Sequence, residues 1–262
     1  MSDKYLLVIG SIAIAFLLFV SSGLVKEDSS DHQALSEELQ ENRNMKPESL
    51  STSNKEREEF NFQLPSTDCV VHMVKDGDPN SQAIILLHGM AFSSQVWKRI
   101  GTYSELSNSG YFVVGVDLPG KGQTKCSDKS FENKYDDFLA HLISALQLKT
   151  KPLIVAPSWS GRFVEGYLLE KFNADNPEIS GIVWVAPALS AKDRLKQLFP
   201  RLSIPFLIVY GEKDGMGKRS ESLLTKNPNH LVKVIPKGSH PCYLDDPDLF
   251  HNSVLAWISQ SL

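Results

Sequence analysis

The feature that most constrains the fold is an alternation of short apolar runs with longer amphipathic stretches. The apolar, β-branched runs lie at 60–64, 69–74, 83–87, 112–116, 153–156, 182–186, 206–210 and 231–235. Amphipathic stretches lie at about 94–107, 133–147, 161–172, 217–225 and 247–260. This pattern predicts an α/β fold with a mostly parallel, eight-stranded sheet and helices on both faces. A short turn joins the first two runs, which we expect to pair antiparallel at one edge.

Three of the predicted strands are followed by residue types that can cooperate in catalysis. The fifth run leads into a serine-containing turn, Asp214 follows the seventh run, and His240 follows the eighth. Ligands bind at the carboxyl ends of strands in such sheets. A serine hydroxyl needs a base to take its proton, histidine is suited to that role, and a carboxylate orients the histidine. Ser160, His240 and Asp214 are therefore the predicted nucleophile, base and acid.

The stretch LIVAPSWSGRF at 153–163 predicts a strand, a tight turn and a helix. The frame around Ser160 reads SWSGR and lacks both glycines of the common G-x-S-x-G turn. We expect the N–H groups of Gly161 and Met90 to hold an oxyanion, and Trp159 is a candidate lining residue of the acyl pocket. Asp117 and Asp193 remain alternative triad acids. His88 and Cys242 are expected to pack structurally.

The motifs LLHGMAFSSQVW, VGVDLPGKGQT, PSWSGRF, VYGEKDGMG and KGSHPCYLDDP resemble the α/β-hydrolase superfamily. More narrowly, they are similar to the alpha/beta hydrolase domain-containing protein 14 family over about residues 60–262. That resemblance implies the roles assigned above to Ser160, Asp214 and His240. It also implies action on acyl groups, including removal of acetyl groups from lysine with coenzyme A as acceptor. The membrane-anchored member of that family has a similar layout.

About 19 residues separate the sixth and seventh runs, with room for one short helix but no large lid domain. An open pocket for small acyl groups is the resulting prediction. The sequence predicts a serine hydrolase or acyltransferase acting on a small acylated ester, thioester or amide. The alternatives are a non-catalytic binding protein of the same fold and a slowly hydrolysing ligand receptor.

The N-terminal region differs in composition from the predicted hydrolase domain at 60–262. Residues 5–25 carry no charge and are long enough to cross a bilayer. This favours a signal-anchor or transmembrane segment at 1–25, followed by a polar, flexible stem at 26–59. The expected location is a single-pass type II membrane protein with a lumenal or extracellular catalytic domain. The alternative is a cleaved signal peptide and a secreted protein.

The bulk properties exclude some classes of partner. A formal net charge of −4 provides no basic surface of the kind that binds nucleic acid. The three cysteines, Cys69, Cys126 and Cys242, are too few for a disulfide framework, and at least one must stay unpaired within the chain. No cysteine spacing is typical of a metal site. We expect no required metal or cofactor.

Overall fold

The computed structural model describes residues 57–65, 67–126, 135–171 and 177–262, and residues from Arg57 to Leu262 form one compact unit. Its eight strands form one sheet in the order β1-β2-β4-β3-β5-β6-β7-β8. The strands are β1 Glu58–Gln63, β2 Val70–Asp76, β3 Ala83–Leu86, β4 Phe112–Val116, β5 Leu153–Pro157, β6 Gly181–Val185, β7 Phe206–Gly211 and β8 His230–Ile235. Strand β2 pairs antiparallel with β1 and β4, and the remaining pairs are parallel. The predicted α/β fold, with its antiparallel edge, is confirmed.

Helices connect the parallel strands and cover the sheet. They are α1 Gln95–Arg99, α2 Thr102–Asn108, α3 Tyr135–Leu146, α4 Gly161–Glu170, α5 Lys192–Leu198, α6 Gly215–Leu224, α7 Cys242–Asp245 and α8 Pro247–Ser261. The stretch 94–107 forms two helices because Gly101 lies between them at φ 77°, in the left-handed region that interrupts a helix. Between β6 and β7 there is only α5 with one 3₁₀ turn, so the predicted absence of a large lid holds.

The sheet separates two apolar layers because successive side chains of a strand point to opposite faces. On one face, Ile154 and Trp184 pack in a cluster that includes Phe163 of α4. On the other, Val155 and Val183 belong to a cluster with residues of α1, α2 and α8. Both layers are buried, which explains why the central strands read as continuous apolar runs. The two layers hold the carboxyl ends of the strands in fixed positions.

A disulfide joins Cys69 to Cys126, and Cys242 is a free, buried thiol. The bridge spans 57 positions of sequence. Beside it, Val70 and Lys125 form an isolated antiparallel β-bridge, which ties the loop after β4 to the start of β2. The sequence indicated only that one cysteine must stay unpaired, and this pairing was not predicted.

No helix in the part of the chain that the structure describes is long and apolar enough to cross a bilayer. On this finding, the predictions of a transmembrane signal-anchor and of a type II membrane location are not upheld, and we do not retain them. The segments 1–25 and 26–59 on which they depended lie outside the described residues, apart from 57–59. β1 begins at Glu58, two residues before the predicted start of the domain.

Candidate active site

The turn after β5 brings Ser158, not Ser160, to the histidine. Ser158 has φ 50°, a left-handed conformation that is costly for a residue with a side chain. This conformation turns the chain sharply between β5 and the helix that follows. The Ser158 Oγ lies 2.8 Å from Nε2 of His240. A serine held this way, at the end of a strand and at the head of a helix, has the geometry of a nucleophile elbow.

The prediction that Ser160 is the serine paired with His240 is therefore wrong by two residues. Ser160 is fully buried, and its hydroxyl donates to the carbonyl oxygen of Pro157 at 2.8 Å. Centred on Ser158, the frame reads APSWS, with small residues at both positions where the common signature has glycine. These small residues on either side of Ser158 were the sequence signal that could have identified it as the serine of the turn. The frame around Ser160 puts an arginine at the second small position, whereas the frame around Ser158 needs no such exception.

The structure also brings His240 and Asp214 together. The Nδ1 of His240 lies 2.8 Å from Oδ2 of Asp214. A carboxylate can only accept, so Nδ1–H donates to Asp214 and Nε2 is left to accept the proton of Ser158. His240 thus bridges the serine and the acid in the tautomer that a general base requires.

Asp214 also caps helix α6, since its Oδ1 accepts from the N–H of Met216 at 2.9 Å. Burial by itself raises the pKa of this carboxyl. The hydrogen bond and charge of His240, with backbone N–H groups of Met216 and Gly217, outweigh that effect and lower the pKa below its ordinary value. The carboxylate is therefore ionised at neutral pH and able to stabilise an imidazolium.

Gly161 has a packing role, and its N–H, which was predicted to hold an oxyanion, is engaged within the turn. Its N–H donates back to the carbonyl oxygens of Ser158 and Trp159 within the turn. A Cβ at this position would lie 2.7 Å from Cβ of Pro187, so only glycine lets α4 approach the loop after β6. Because the serine in contact with His240 is Ser158, the residue after it is Trp159. The N–H expected to hold the oxyanion is then that of Trp159.

The loop after β3 lies against the elbow. A Cβ at Gly89 would stand 3.9 Å from Cβ of Ser158. The next residue is Met90, which is largely exposed. His88 fixes this loop: Nε2 accepts from the N–H of Leu118, and Nδ1–H donates to the carbonyl oxygen of Gly89 at 2.9 Å. Burial lowers the pKa of His88, which keeps it neutral in this role.

The alternative candidates for catalysis lie elsewhere. Asp117 is buried and accepts from the N–H groups of Ser94 and Gln123 at 2.7 and 2.8 Å, and it lies 3.1 Å from His72. It organises two loops and does not reach His240. Asp193 is exposed and pairs with Lys196 at 3.1 Å.

Cys242 is buried near His240 in sequence but does not resemble a reactive thiol. Burial raises the pKa of Cys242 to about 12, so the thiolate is not populated at neutral pH. The expected structural role of this cysteine agrees with its burial. In the described part of the chain, no group of three metal-ligating side chains comes together.

Glu165 of α4 is a positioning residue that the sequence analysis missed. Its carboxylate is buried and accepts from the N–H of Ser190 at 2.9 Å, from the Ser190 hydroxyl at 3.0 Å and from the N–H of Ala191. These bonds hold the loop after β6. In the same loop, the N–H of Ala188 donates to the carbonyl oxygen of Ser158 at 2.9 Å. A lone glutamate in an amphipathic helix gives no sequence signal for this.

Trp159 is half-buried beside Ser158 and packs edge-on against Phe163, with ring centroids 5.1 Å apart. The ammonium group of Lys121 lies 5.7 Å from the centroid of its indole ring. The tryptophan therefore joins the elbow to the loop after β4. Its part-exposed ring at the serine is consistent with the predicted place at the pocket.

Comparison with individual known proteins places the chain in a family, although no protein-family model matches it. Over 181 residues it is 36% identical to "Putative protein-lysine deacylase ABHD14B" of Rattus norvegicus, covering 68% of this chain and 83% of the relative. It is 34% identical over 180 residues to "Protein ABHD14A" of Danio rerio, covering 68% of this chain and 64% of the relative.

The fold comparison agrees with the sequence comparison. The crystal structure of a "predicted CIB-like hydrolase" from Thermoplasma acidophilum superimposes with a TM-score of 0.67 at 23% identity, covering 77% of this chain and 97% of that one. At this identity the likeness concerns the fold alone. The identities to ABHD14A and ABHD14B are alike and do not separate the two branches. The chain belongs to the ABHD14 family of α/β-hydrolases, the class of enzyme that its sequence predicted.

Proposed function

We propose that this protein hydrolyses or transfers small acyl groups with Ser158 as nucleophile, His240 as general base and then acid, and Asp214 as the orienting acid. The observation that carries the proposal is the continuous pair of hydrogen bonds, both 2.8 Å long, from Ser158 Oγ through His240 to Asp214. The left-handed conformation of Ser158 supports it, because strain of this kind is retained where function requires it.

The reaction follows from the direction of these bonds. His240 Nε2 takes the hydroxyl proton while Ser158 Oγ attacks the acyl carbonyl carbon, and the imidazolium is stabilised by the carboxylate of Asp214. His240 then gives the proton to the leaving amine, thiol or alcohol, and an acyl-serine remains. Water, or another acceptor, then loses a proton to His240 and attacks the acyl carbon. The bond from that carbon to Ser158 Oγ breaks, and His240 returns the proton to Ser158 Oγ.

The oxyanion that forms on the carbonyl needs two donors. We assign them to the main-chain N–H groups of Trp159 and Met90. Trp159 directly follows the serine at the start of a helix, and Met90 follows Gly89, whose Cα faces the Ser158 side chain. Gly161, the donor predicted from sequence, is replaced by Trp159 in this assignment.

The acyl group is proposed to be small because α5 is the only α-helix between β6 and β7. ABHD14B carries protein-lysine deacylase in its name. We extend that substrate class to this chain, so that an acylated lysine side chain is the proposed amide substrate. Coenzyme A is the proposed acceptor where the acyl group is transferred and not hydrolysed.

A serine pair two residues apart supplies a matched test. Purified wild type, Ser158→Ala and Ser160→Ala are treated with a fluorophosphonate probe and assayed on p-nitrophenyl acetate and butyrate. We expect Ser158→Ala to lose labelling and at least about 10³-fold in kcat, as for loss of a nucleophile. Ser160→Ala removes one buried hydroxyl and is expected to keep labelling and most of its turnover.

Other outcomes would point elsewhere. Labelling lost in Ser160→Ala but kept in Ser158→Ala would overturn the assignment of the nucleophile. A folded wild type that neither labels nor turns over would be a binding protein of this fold, and one labelling event without turnover would indicate a slowly hydrolysing receptor. Adding coenzyme A to an acetyl-lysine peptide assay and measuring acetyl-coenzyme A against free acetate separates transfer from hydrolysis.

A further inference from the structure

A cleft of about 370 Å³ lies between α5 and α6, outside the triad. Its walls come from the loop after β6 and from the facing sides of these two helices. The apolar part consists of Pro187, Ala188, Leu189, Met216 and Leu223. A cleft of this size can accept part of a small substrate, and its apolar wall suits a short carbon chain.

The charged part of this cleft is entirely cationic. Lys192, Lys196, Arg219 and Lys226 line it, and no carboxylate does. Lys196 pairs with Asp193 at 3.1 Å. Within the described residues, no ion pair engages the other three. Like charges around one cleft repel one another, so the arrangement attracts an anion.

The inner end of the cleft adjoins the proposed catalytic residues. Ala188, in its wall, donates its N–H to the carbonyl oxygen of Ser158 at 2.9 Å. Met216, also in the wall, donates its N–H to Oδ1 of Asp214 at 2.9 Å. Arg219 folds back along α6, and its Nη1 would lie 3.2 Å from a Cβ placed on Gly215. Residues of the cleft wall thus contact both Ser158 and Asp214, so the cleft is a neighbour of the triad.

We propose that the cleft between α5 and α6 binds an anionic group of the substrate, a carboxylate or a phosphate, at the far end of a short apolar chain. This proposal rests on the proposed function and extends it to the substrate class. It makes the enzyme selective for anionic over neutral acyl substrates.

The test compares two esters of similar length, neutral p-nitrophenyl hexanoate and the mono-p-nitrophenyl ester of adipic acid, which ends in a carboxylate. The cleft variant Lys192→Gln/Arg219→Gln removes two cations. Its matched control, Arg194→Gln/Lys218→Gln, removes two exposed cations from the same helices that do not line the cleft. Both variants change the net charge equally.

Each lost contact with an exposed charge is expected to cost about fivefold. In the cleft variant, kcat/KM for the adipate ester should then fall roughly 25-fold, mainly through KM. Turnover of the hexanoate ester should stay within about twofold in both variants, and the control should affect neither ester by more. The fall should shrink in 0.5 M salt, because these cations are exposed and screened.

Two inhibitors separate the sources of the anion. Butyl phosphate and valerate are tested as competitive inhibitors of p-nitrophenyl acetate hydrolysis by wild type. Stronger inhibition by butyl phosphate assigns the cleft to a phosphate, and stronger inhibition by valerate to a carboxylate. The proposal is overturned if neither inhibits, or if the adipate and hexanoate esters respond equally to the cleft variant. Absence of turnover on every ester would instead refute the proposed function.

Discussion

Replacing Glu165 by glutamine tests whether a residue that does not contact the substrate holds the active-site loop. Glu165 is 3% exposed, and both oxygens of its carboxylate accept from the N–H groups of Ser190 and Ala191. A glutamine retains one acceptor oxygen. The other position becomes an NH₂ group that faces two donors and can accept nothing, since each oxygen of the carboxylate accepts from two donors.

The magnitude follows from these contacts. A hydrogen bond to a charged group contributes about 1.5–3 kcal/mol, and an unpaired buried donor costs about 1–3 kcal/mol. Losing one charged acceptor and leaving a donor unpaired is therefore expected to lower the free energy of unfolding by about 2.5–6 kcal/mol. For a domain of roughly 200 residues, at about 2–4 °C per kcal/mol, this corresponds to a fall in Tm of about 5–24 °C.

The measurement is urea unfolding followed by tryptophan fluorescence, with a thermal scan beside it. Glu170→Gln changes the same residue type at the last position of the same helix, where its partner is the neighbouring Lys171, and should shift stability by less than about 0.5 kcal/mol. We also expect the kcat of Glu165→Gln on p-nitrophenyl acetate to fall severalfold below 25 °C, where the variant is still folded. An unfolding midpoint equal to wild type would refute the reasoning that Glu165 anchors the loop.

The remaining predictions concern the acid and the disulfide. Asp214→Asn is expected to stay folded, since asparagine also caps helices, but to lose about 10⁴-fold in kcat because it no longer holds the tautomer of His240. Folding lowers the pKa of Asp214 from its ordinary 3.8, so its contribution to stability is present above that value and is lost as the pH falls through the lower folded value. Asp214→Asn should therefore flatten the loss of stability below about pH 4 in a series of urea titrations. Cys126→Ser opens a loop that spans 57 positions and should lower the free energy of unfolding by about 4 kcal/mol, whereas reductant should leave that variant unchanged and destabilise wild type.

The strands were predictable from sequence because the sheet buries both of its faces. Every predicted run forms a strand whose ends agree within two residues, and the central strands β5 and β6 are buried along their whole length. A continuous apolar run of five residues is typical of a strand that is buried on both faces of a parallel sheet. The helix predicted over 94–107 was broken because one glycine adopts a left-handed conformation, which an amphipathic pattern does not report.

The two predicted partners of the serine were found because Asp214 is the only aspartate in the loop after β7 and His240 the only histidine in the loop after β8. The serine itself depended on the register of a turn that holds two serines. Strand β5 runs through Pro157, one residue beyond the apolar run, and the positive φ falls on Ser158. Nothing in the residue type signals that conformation, since serine, unlike glycine, rarely adopts it. With two serines in one turn, only the requirement for small neighbours at both flanking positions distinguishes them.

The buried polar residues around the triad explain how such a strained turn persists. His88 follows β3, Asp117 follows β4 and Glu165 lies on α4, and each binds main-chain groups of a neighbouring loop. Their partners lie in the loops after β3, β4 and β6, and the loops after β3 and β6 contact the elbow at Ser158. A conformation that costs of order 1–3 kcal/mol persists only when its surroundings are over-determined, and these bonds provide that. It follows that substitutions of His88, Asp117 or Glu165 should impair catalysis by displacing the elbow, even though the triad residues themselves are unchanged.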